Sequence, residues 1–214
     1  MTAWPKRTLD SYFSASMLDT IERTTLIFAY IYLVYRVLHA SYASGSWYSM
    51  MVVVSELFVL VFILIRRRTD NISINSSDWM IAVGGTALPL TVEFSEFSPI
   101  VAPTLCVSVI IMGMFAQVYA KLSLRRSFGL VPANRGVKVE GPYRAIRHPM
   151  YAGYFFTHIG LFLLYPSLWN LAVYMSAASL QIIRILREEK LLGTDPDYQK
   201  YKNNVQSRLI PGIF

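Results

Sequence analysis

Six apolar runs alternate with polar stretches along the 214-residue chain. They occupy positions 21–40, 47–65, 78–94, 100–122, 149–165 and 167–185. Runs of roughly twenty residues, or slightly fewer, suit helices that cross a hydrocarbon core about 30 Å thick. Asp19 or Thr20 is placed to cap the first run. Trp47 and Tyr48 open the second at an interface, and Arg66-Arg67-Arg68 stops it. The third is interrupted by Gly84-Gly85 and Pro89, and Pro166 folds the fifth onto the sixth as a helical hairpin. The pattern predicts an all-α polytopic membrane bundle of about six transmembrane helices, with one long polar loop and an amphipathic C-terminal helix.

Charge orients this bundle. Lys6, Arg7 and Arg23, then Arg66 to Arg68, then the stretch from Lys121 to Arg147, then that from Arg184 to Arg208, all fall on one side. The loops at 41–46, 95–99 and 165–167 contain no Lys or Arg. The positive-inside rule therefore puts both termini in the cytoplasm, at the inner or plasma membrane if the protein is bacterial. Arg36, near the outer end of the first run, is the exception, and its side chain can snorkel to the interface. Arg125, Arg126 and Arg66 to Arg68 read as topology determinants that meet anionic lipid headgroups.

Composition agrees. Only 15% of residues are charged and 54% are hydrophobic, with a mean hydropathy of +0.41, whereas soluble domains carry about a quarter charged residues. The net charge of +7 sits in juxtamembrane clusters, which argues against nucleic acid as a partner. Cys106 is the single cysteine and lies in an apolar run, so neither an intrachain disulfide nor a cysteine metal site is expected. The first 19 residues are polar and aromatic rather than a signal peptide. The division expected is an interfacial segment at 1–20, helices one to four at 21–122, and a catalytic region of loop, hairpin and tail at 123–214.

The unusual chemistry lies in G-P-Y-R-A-I-R-H-P-M-Y-A-G, residues 141–153. Two prolines bias their preceding residues away from helix, which makes a rigid loop carrying cations and phenols. A hairpin that follows directly must return its chain to this loop. Topology thus brings Arg147, His148 and Tyr151 beside Arg184, Arg187, Glu188 and Glu189. A pocket with apolar walls and this polar floor suits an amphiphilic substrate and a polar cofactor. The tail beyond Leu186 is broken at Gly193 and Pro196 and restarts as a short helix near Asp197-Tyr198. Its end, from Arg208 to Phe214, is apolar enough to fold back on the membrane-proximal part. In the interior, Glu56 and His158 lie at similar depth and could pair.

R-H-P-M-Y-A-G at 147–153, the Gly141-Pro142-Tyr143-Arg144 before it, Glu188-Glu189, the Tyr198 and Tyr201 pair and the ending from Arg208 to Phe214 together resemble the isoprenylcysteine carboxyl methyltransferase family. The phosphatidylethanolamine N-methyltransferases share the R-H-P-x-Y and paired-glutamate elements. The resemblance spans 125–214. It implies methyl transfer from S-adenosyl-L-methionine at the cytoplasmic membrane face. The acceptor it implies is lipid-like or isoprenoid-linked, a lipophilic or prenylated molecule drawn from among the membrane lipids. Carried over, the cofactor would meet Tyr143, Arg147, His148, Pro149, Tyr151, Gly153, Glu188 and Glu189. Arg208, Tyr201 and Glu189 would close the site or meet the acceptor. Where that family tends to be basic, this chain has Asn203-Asn204.

Elementary chemistry points the same way. Transfer of a sulfonium methyl consumes positive charge and gains from alignment and desolvation. A carboxylate acceptor needs only a cation to orient it, whereas an amine or hydroxyl needs a proton acceptor. The arginine-rich rim favours the carboxylate. Blander readings compete: His148 as a helix cap, and Glu188-Glu189 as a solvated face paired with Arg184, Arg187 and Lys190. Two other functions also compete. One is an NADPH-dependent membrane sterol or steroid reductase, whose similar loop usually continues with an acidic residue where this chain has Tyr154. The other is a non-enzymatic transporter or assembly factor, although transporters place their polar sites near the midplane.

Overall fold

The computed structural model describes residues 15–44, 57, 60–61, 64–65, 72–73, 75–94, 98–127 and 129–214. Six α-helices carry most of them: α1 (Ala15–Ser44), α2 (Ser76–Ala87), α3 (Pro103–Leu124), α4 (Pro149–Leu164), α5 (Leu168–Leu192) and α6 (Pro196–Asn204). Single 3-10 turns follow α2 at Leu88–Thr91, follow α3 at Arg125–Ser127 and precede α4 at Gly141–Arg144. Among the described residues β-pairing is confined to an isolated bridge between Ile72 and Ala133. The chain is all-α. The N-terminal segment to residue 14 and most of the second apolar run, with Trp47, Tyr48 and Glu56, lie outside the described residues. Residues 57, 60, 61, 64 and 65 of that run are helical.

Local chemistry sets the helix ends. Pro103, Pro149 and Pro196 each stand at the first helical position, where a missing N–H costs nothing. Asn75, Ser167 and Asp195 accept N-cap hydrogen bonds from Ser77, Asn170 and Asp197. Helix α6 therefore starts one residue before the expected Asp197. Helix α1 begins at Ala15, so Asp19 and Thr20 lie inside it rather than capping it. Its buried stripe is Glu22, Leu26, Tyr30, Leu33 and Val37, a helical repeat that starts on a carboxylate. Gly84 and Gly85 do not interrupt α2; Pro89 ends it. Arg36 does not snorkel. Its guanidinium donates to the carbonyls of Leu90 and Val92, beside Pro89, where the helix has run out of N–H partners.

The fifth and sixth runs meet at the expected turn, but their helices splay. Helix α4 packs chiefly on α3, and α5 on α2. Glycine is the reason. A Cβ at Gly153 would lie 2.8 Å from the Gly113 carbonyl oxygen and 2.7 Å from Gln117 Cγ. One at Gly160 would lie 2.7 Å from Ile110 Cγ1 and 2.9 Å from its amide. Small residues at these steps let the α3 and α4 backbones touch. On α2, a Cβ at Gly85 would already reach Leu180 and Arg184 of α5 at 3.4 and 3.5 Å. Each leg of the hairpin is drawn to a different neighbour, and a space opens between the legs.

Away from this core the helices present large apolar side chains outward: Phe28, Ile31 and Tyr35 on α1, Met112 and Phe115 on α3, and Ile159 and Met175 on α4 and α5. Apolar faces this extensive are uncommon on soluble monomers. Among the described residues α3 is the helix long and apolar enough to cross a membrane. At 16 residues α4 is about 24 Å long. Replacing Gly160 by leucine is expected to destabilise the fold by about 1–3 kcal/mol through overpacking. Phe115→Leu, on the exposed face of α3, should change stability little. Thermal unfolding of both variants in detergent measures the contrast.

Candidate functional site

The loop before α4, the end of α5 and the tail converge on one carboxylate. Glu189, on the last turn of α5, is 8% exposed. Its Oε1 lies 3.2 Å from His148 Nε2 and 3.3 Å from Arg147 Nε, and its Oε2 accepts from Arg208 Nε at 3.0 Å. Burial pushes this carboxyl upward. The His148 hydrogen bond and charge, then Arg147 and Arg208, outweigh that and hold it down to about 2. The His148 ring turns to Glu189 and makes no helix cap. Glu189 is correspondingly not part of a solvated face.

Backbone bonds tighten the same junction. The amides of Arg147 and His148 donate to the carbonyls of Ser207 and Arg208, both at 2.9 Å, and Arg147 also reaches the Gln206 carbonyl at 3.2 Å. The tail thus folds back as expected, but through hydrogen bonds; Ile210 and Ile213 stay exposed. The Arg208 guanidinium lies over the Phe214 ring. Tyr201 donates to the Tyr143 carbonyl at 2.7 Å. Burial raises both the Tyr201 and Tyr143 phenols well above their ordinary range, so each is a neutral hydroxyl near pH 7.

Two cavities lie beside this junction. The smaller, of ≈ 290 Å³ with its open mouth, is bordered by Gly129, Leu130, Val131, Arg135, Tyr151, Arg184 and Glu188, among others. Tyr151 donates to Glu188 at 3.4 Å, and Arg184 lies 5.3 Å from the Tyr151 ring centre. The larger, of ≈ 980 Å³ counted the same way, occupies the space between the hairpin legs. It is mostly apolar, with Leu33, Met150, Tyr154 and Leu161 in its wall and Gln117, Thr157, His158 and Gln181 as polar points. Leu130 and Arg184 border both cavities.

Arg184 is 5% exposed. Its guanidinium donates to the Leu130 carbonyl at 2.8 Å and to Gln181 at 3.3 Å, and its Nε has no hydrogen-bond partner. It has no carboxylate partner among the described residues. The Tyr174 hydroxyl, also on the larger cavity, is buried without a hydrogen-bond partner. A buried cation and a buried hydroxyl facing empty space are costly unless a ligand meets them.

The sequence-selected residues therefore divide. Tyr151 and Glu188 border the smaller cavity. Arg147, His148, Glu189 and Arg208 form the ion cluster, and Tyr143 and Tyr201 brace it. Neither Arg208 nor Tyr201 borders either cavity. Pro149 opens α4, and Gly153 faces α3. The expected partner of His158, Glu56, lies outside the described residues; the His158 ring stacks on Tyr174 with centroids 5.0 Å apart. Sequence reasoning missed Lys121, fully buried against Gln117 and the Tyr154 ring, and Glu22, whose place on the apolar stripe of α1 was the available signal.

The Glu189 cluster makes stability depend on acid. A carboxyl held near 2 in the folded chain, against an ordinary 4.5, contributes stability in full above the ordinary value. That stability is lost as pH falls through the folded value. Denaturant unfolding should weaken between about pH 4.5 and 2, by a few kcal/mol at most. Glu189→Gln should remove most of that slope; an unchanged slope would show that other carboxyls carry it.

A search of curated proteins found no match to the chain. A family model did match: residues 100–195 correspond to the phospholipid methyltransferase (PEMT) family, which includes the isoprenylcysteine carboxyl methyltransferases. The match runs from just before α3 to the N-cap of α6 and takes in the R-H-P loop, both hairpin legs and the glutamate pair. Over those residues the chain is similar to the phospholipid methyltransferases.

Proposed function

We propose that this protein is an integral membrane methyltransferase that uses S-adenosyl-L-methionine to methylate the carboxylate of a lipid-like or isoprenoid-linked amphiphile. One observation carries the reading: a small polar cavity and a large apolar one share a wall made by Leu130 and Arg184. A polar cofactor and a greasy acceptor need separate chambers whose reacting ends meet.

The residues of the smaller cavity fit the cofactor's chemistry. Glu188 suits its ammonium or ribose hydroxyls, Arg135 its carboxylate, the Tyr151 ring its sulfonium, and Leu130 with Val131 the face of its adenine. When bound, the cofactor would supply an electrophilic methyl: a C–O bond to the carboxylate would form as the C–S bond breaks with the neutral thioether of S-adenosylhomocysteine leaving, which consumes positive charge and calls for no base. The protein's work is then alignment and exclusion of water. Arg184 presents a buried guanidinium to the larger cavity and orients the acceptor's carboxylate. Met150, Leu161 and Leu33 take its apolar chain. Tyr201, a neutral hydroxyl, and Arg208, bound to Glu189, hold the loop rather than move a proton.

The reading keeps six spans, both termini in the cytoplasm and the catalytic region at 123–214. The outward apolar faces, the α3 span and the clustering of Lys and Arg in alternate polar stretches of the sequence support it. S-adenosylhomocysteine should raise the thermal transition of the detergent-solubilised protein, and NADPH should not. Glu188→Ala should lose that rise and still insert in membranes. Labelled methyl should pass from the cofactor into a base-labile ester in a lipid extract. Stabilisation by NADPH alone would transfer the reading to a reductase; label in a base-stable amine would change the acceptor.

A further inference from the structure

The wall shared by the two cavities is loop, not helix, so its shape needs anchors. Residues 129–135 have no regular ladder to satisfy their backbone. The Leu130 carbonyl is held by Arg184 at 2.8 Å. The Ser73 amide donates to the Pro132 carbonyl at 2.9 Å, and Asn134 donates to Asp195 at 2.7 Å. A further anchor comes from the other end of the chain. Both the Leu130 and Val131 amides donate to Oε1 of Glu22, at 2.8 and 3.0 Å. Arg135, another wall residue, lies 3.9 Å from its Oε2.

We infer that Glu22, on α1, is a positioning residue for the cofactor cavity: it fixes the Leu130–Val131 wall although it borders neither cavity itself. The inference rests on the assignment of the smaller cavity to S-adenosyl-L-methionine and extends it beyond the matched domain. Glu22 is 1% exposed, on a stripe otherwise made of Leu26, Tyr30, Leu33 and Val37. A carboxylate there costs desolvation that an alanine or leucine would avoid. What it supplies in return is one oxygen aimed at two consecutive amides, a geometry that holds two peptide planes at once. Leu130 is thereby gripped from both sides, its N–H by α1 and its carbonyl by α5. Since Leu130 borders both cavities, its position sets how near their contents can come. An N-terminal helix that precedes the methyltransferase domain by more than fifty residues thus completes that domain's site.

The test is calorimetric binding of S-adenosylhomocysteine to the full chain in detergent, together with the steady-state KM for the cofactor. Glu22→Ala should weaken binding by about tenfold or more and raise that KM with kcat largely retained. Glu22→Gln keeps an oxygen that accepts from both amides and should restore affinity close to that of the unmodified protein. Glu22→Asp, one methylene shorter, should fall between them. Val37→Ala removes bulk from the same stripe of α1 and should lower the thermal transition without changing affinity. Unchanged affinity in Glu22→Ala, or a Gln variant as weak as the Ala one, would overturn the inference. So would loss of the fold in both the Ala and Asp variants, which would make Glu22 a determinant of the fold. If the unmodified protein itself binds no S-adenosylhomocysteine, the cofactor assignment falls instead.

Discussion

A buried carboxylate surrounded by three basic side chains is the constraint on which the site depends. Burying Glu189 is by itself unfavourable, and it is the three partners that outweigh that cost. Its effect is on geometry. His148 and Arg147 come from the proline-stiffened loop and Arg208 from the tail, and the carboxylate sits on the last turn of α5. Any of these segments moving alone would break at least one contact to the buried carboxylate. The three are therefore held in one arrangement, and the amide bonds from Arg147 and His148 to the tail carbonyls repeat the constraint in the backbone.

The neighbouring glutamate has the complementary task. Successive residues on a helix point about 100° apart, so a junction that captures Glu189 turns Glu188 elsewhere. In this chain it turns Glu188 to Tyr151 and the smaller cavity. The paired glutamates thus separate into one that fixes the frame and one that borders the smaller cavity. A similar division runs through the helices. The glycines of α3 and α4 bring those two backbones together, and the small face of α2 draws α5 away. The larger cavity between the legs follows from that competition, because neither leg can pack fully on the other.

Much of this was legible in the sequence. Helix positions followed from apolar runs and from proline, and the meeting of the 141–153 loop with the glutamate-bearing end of α5 followed from a tight turn at Pro166. The motif residues drew attention to the junction where the 141–153 loop, the end of α5 and the tail meet. What the sequence could not separate was their tasks. Arg208 and Tyr201 were candidates for the reacting site because they are a cation and a phenol near a motif. In space the first is bound to Glu189 and the second to a backbone carbonyl. Gly153 stood within a ligand-binding signature and packs against α3, a contact fixed by a helix some forty positions earlier. Glu22 and Lys121 were harder still. Their importance comes from burial and from partners tens of residues away or more, and periodicity registers only that a polar side chain occupies an apolar stripe.

The central claim is that Glu189 holds the 141–153 loop to the tail, and hydrogen exchange reports that hold directly. In the unmodified protein at neutral pH, the Arg147 and His148 amides should exchange slowly, since they open only when the junction opens. Glu189→Gln should speed their exchange strongly while leaving the amides of the α3–α4 contact near Gly113 and Gly160 as slow as before. Equal protection of Arg147 and His148 in both proteins would contradict the account.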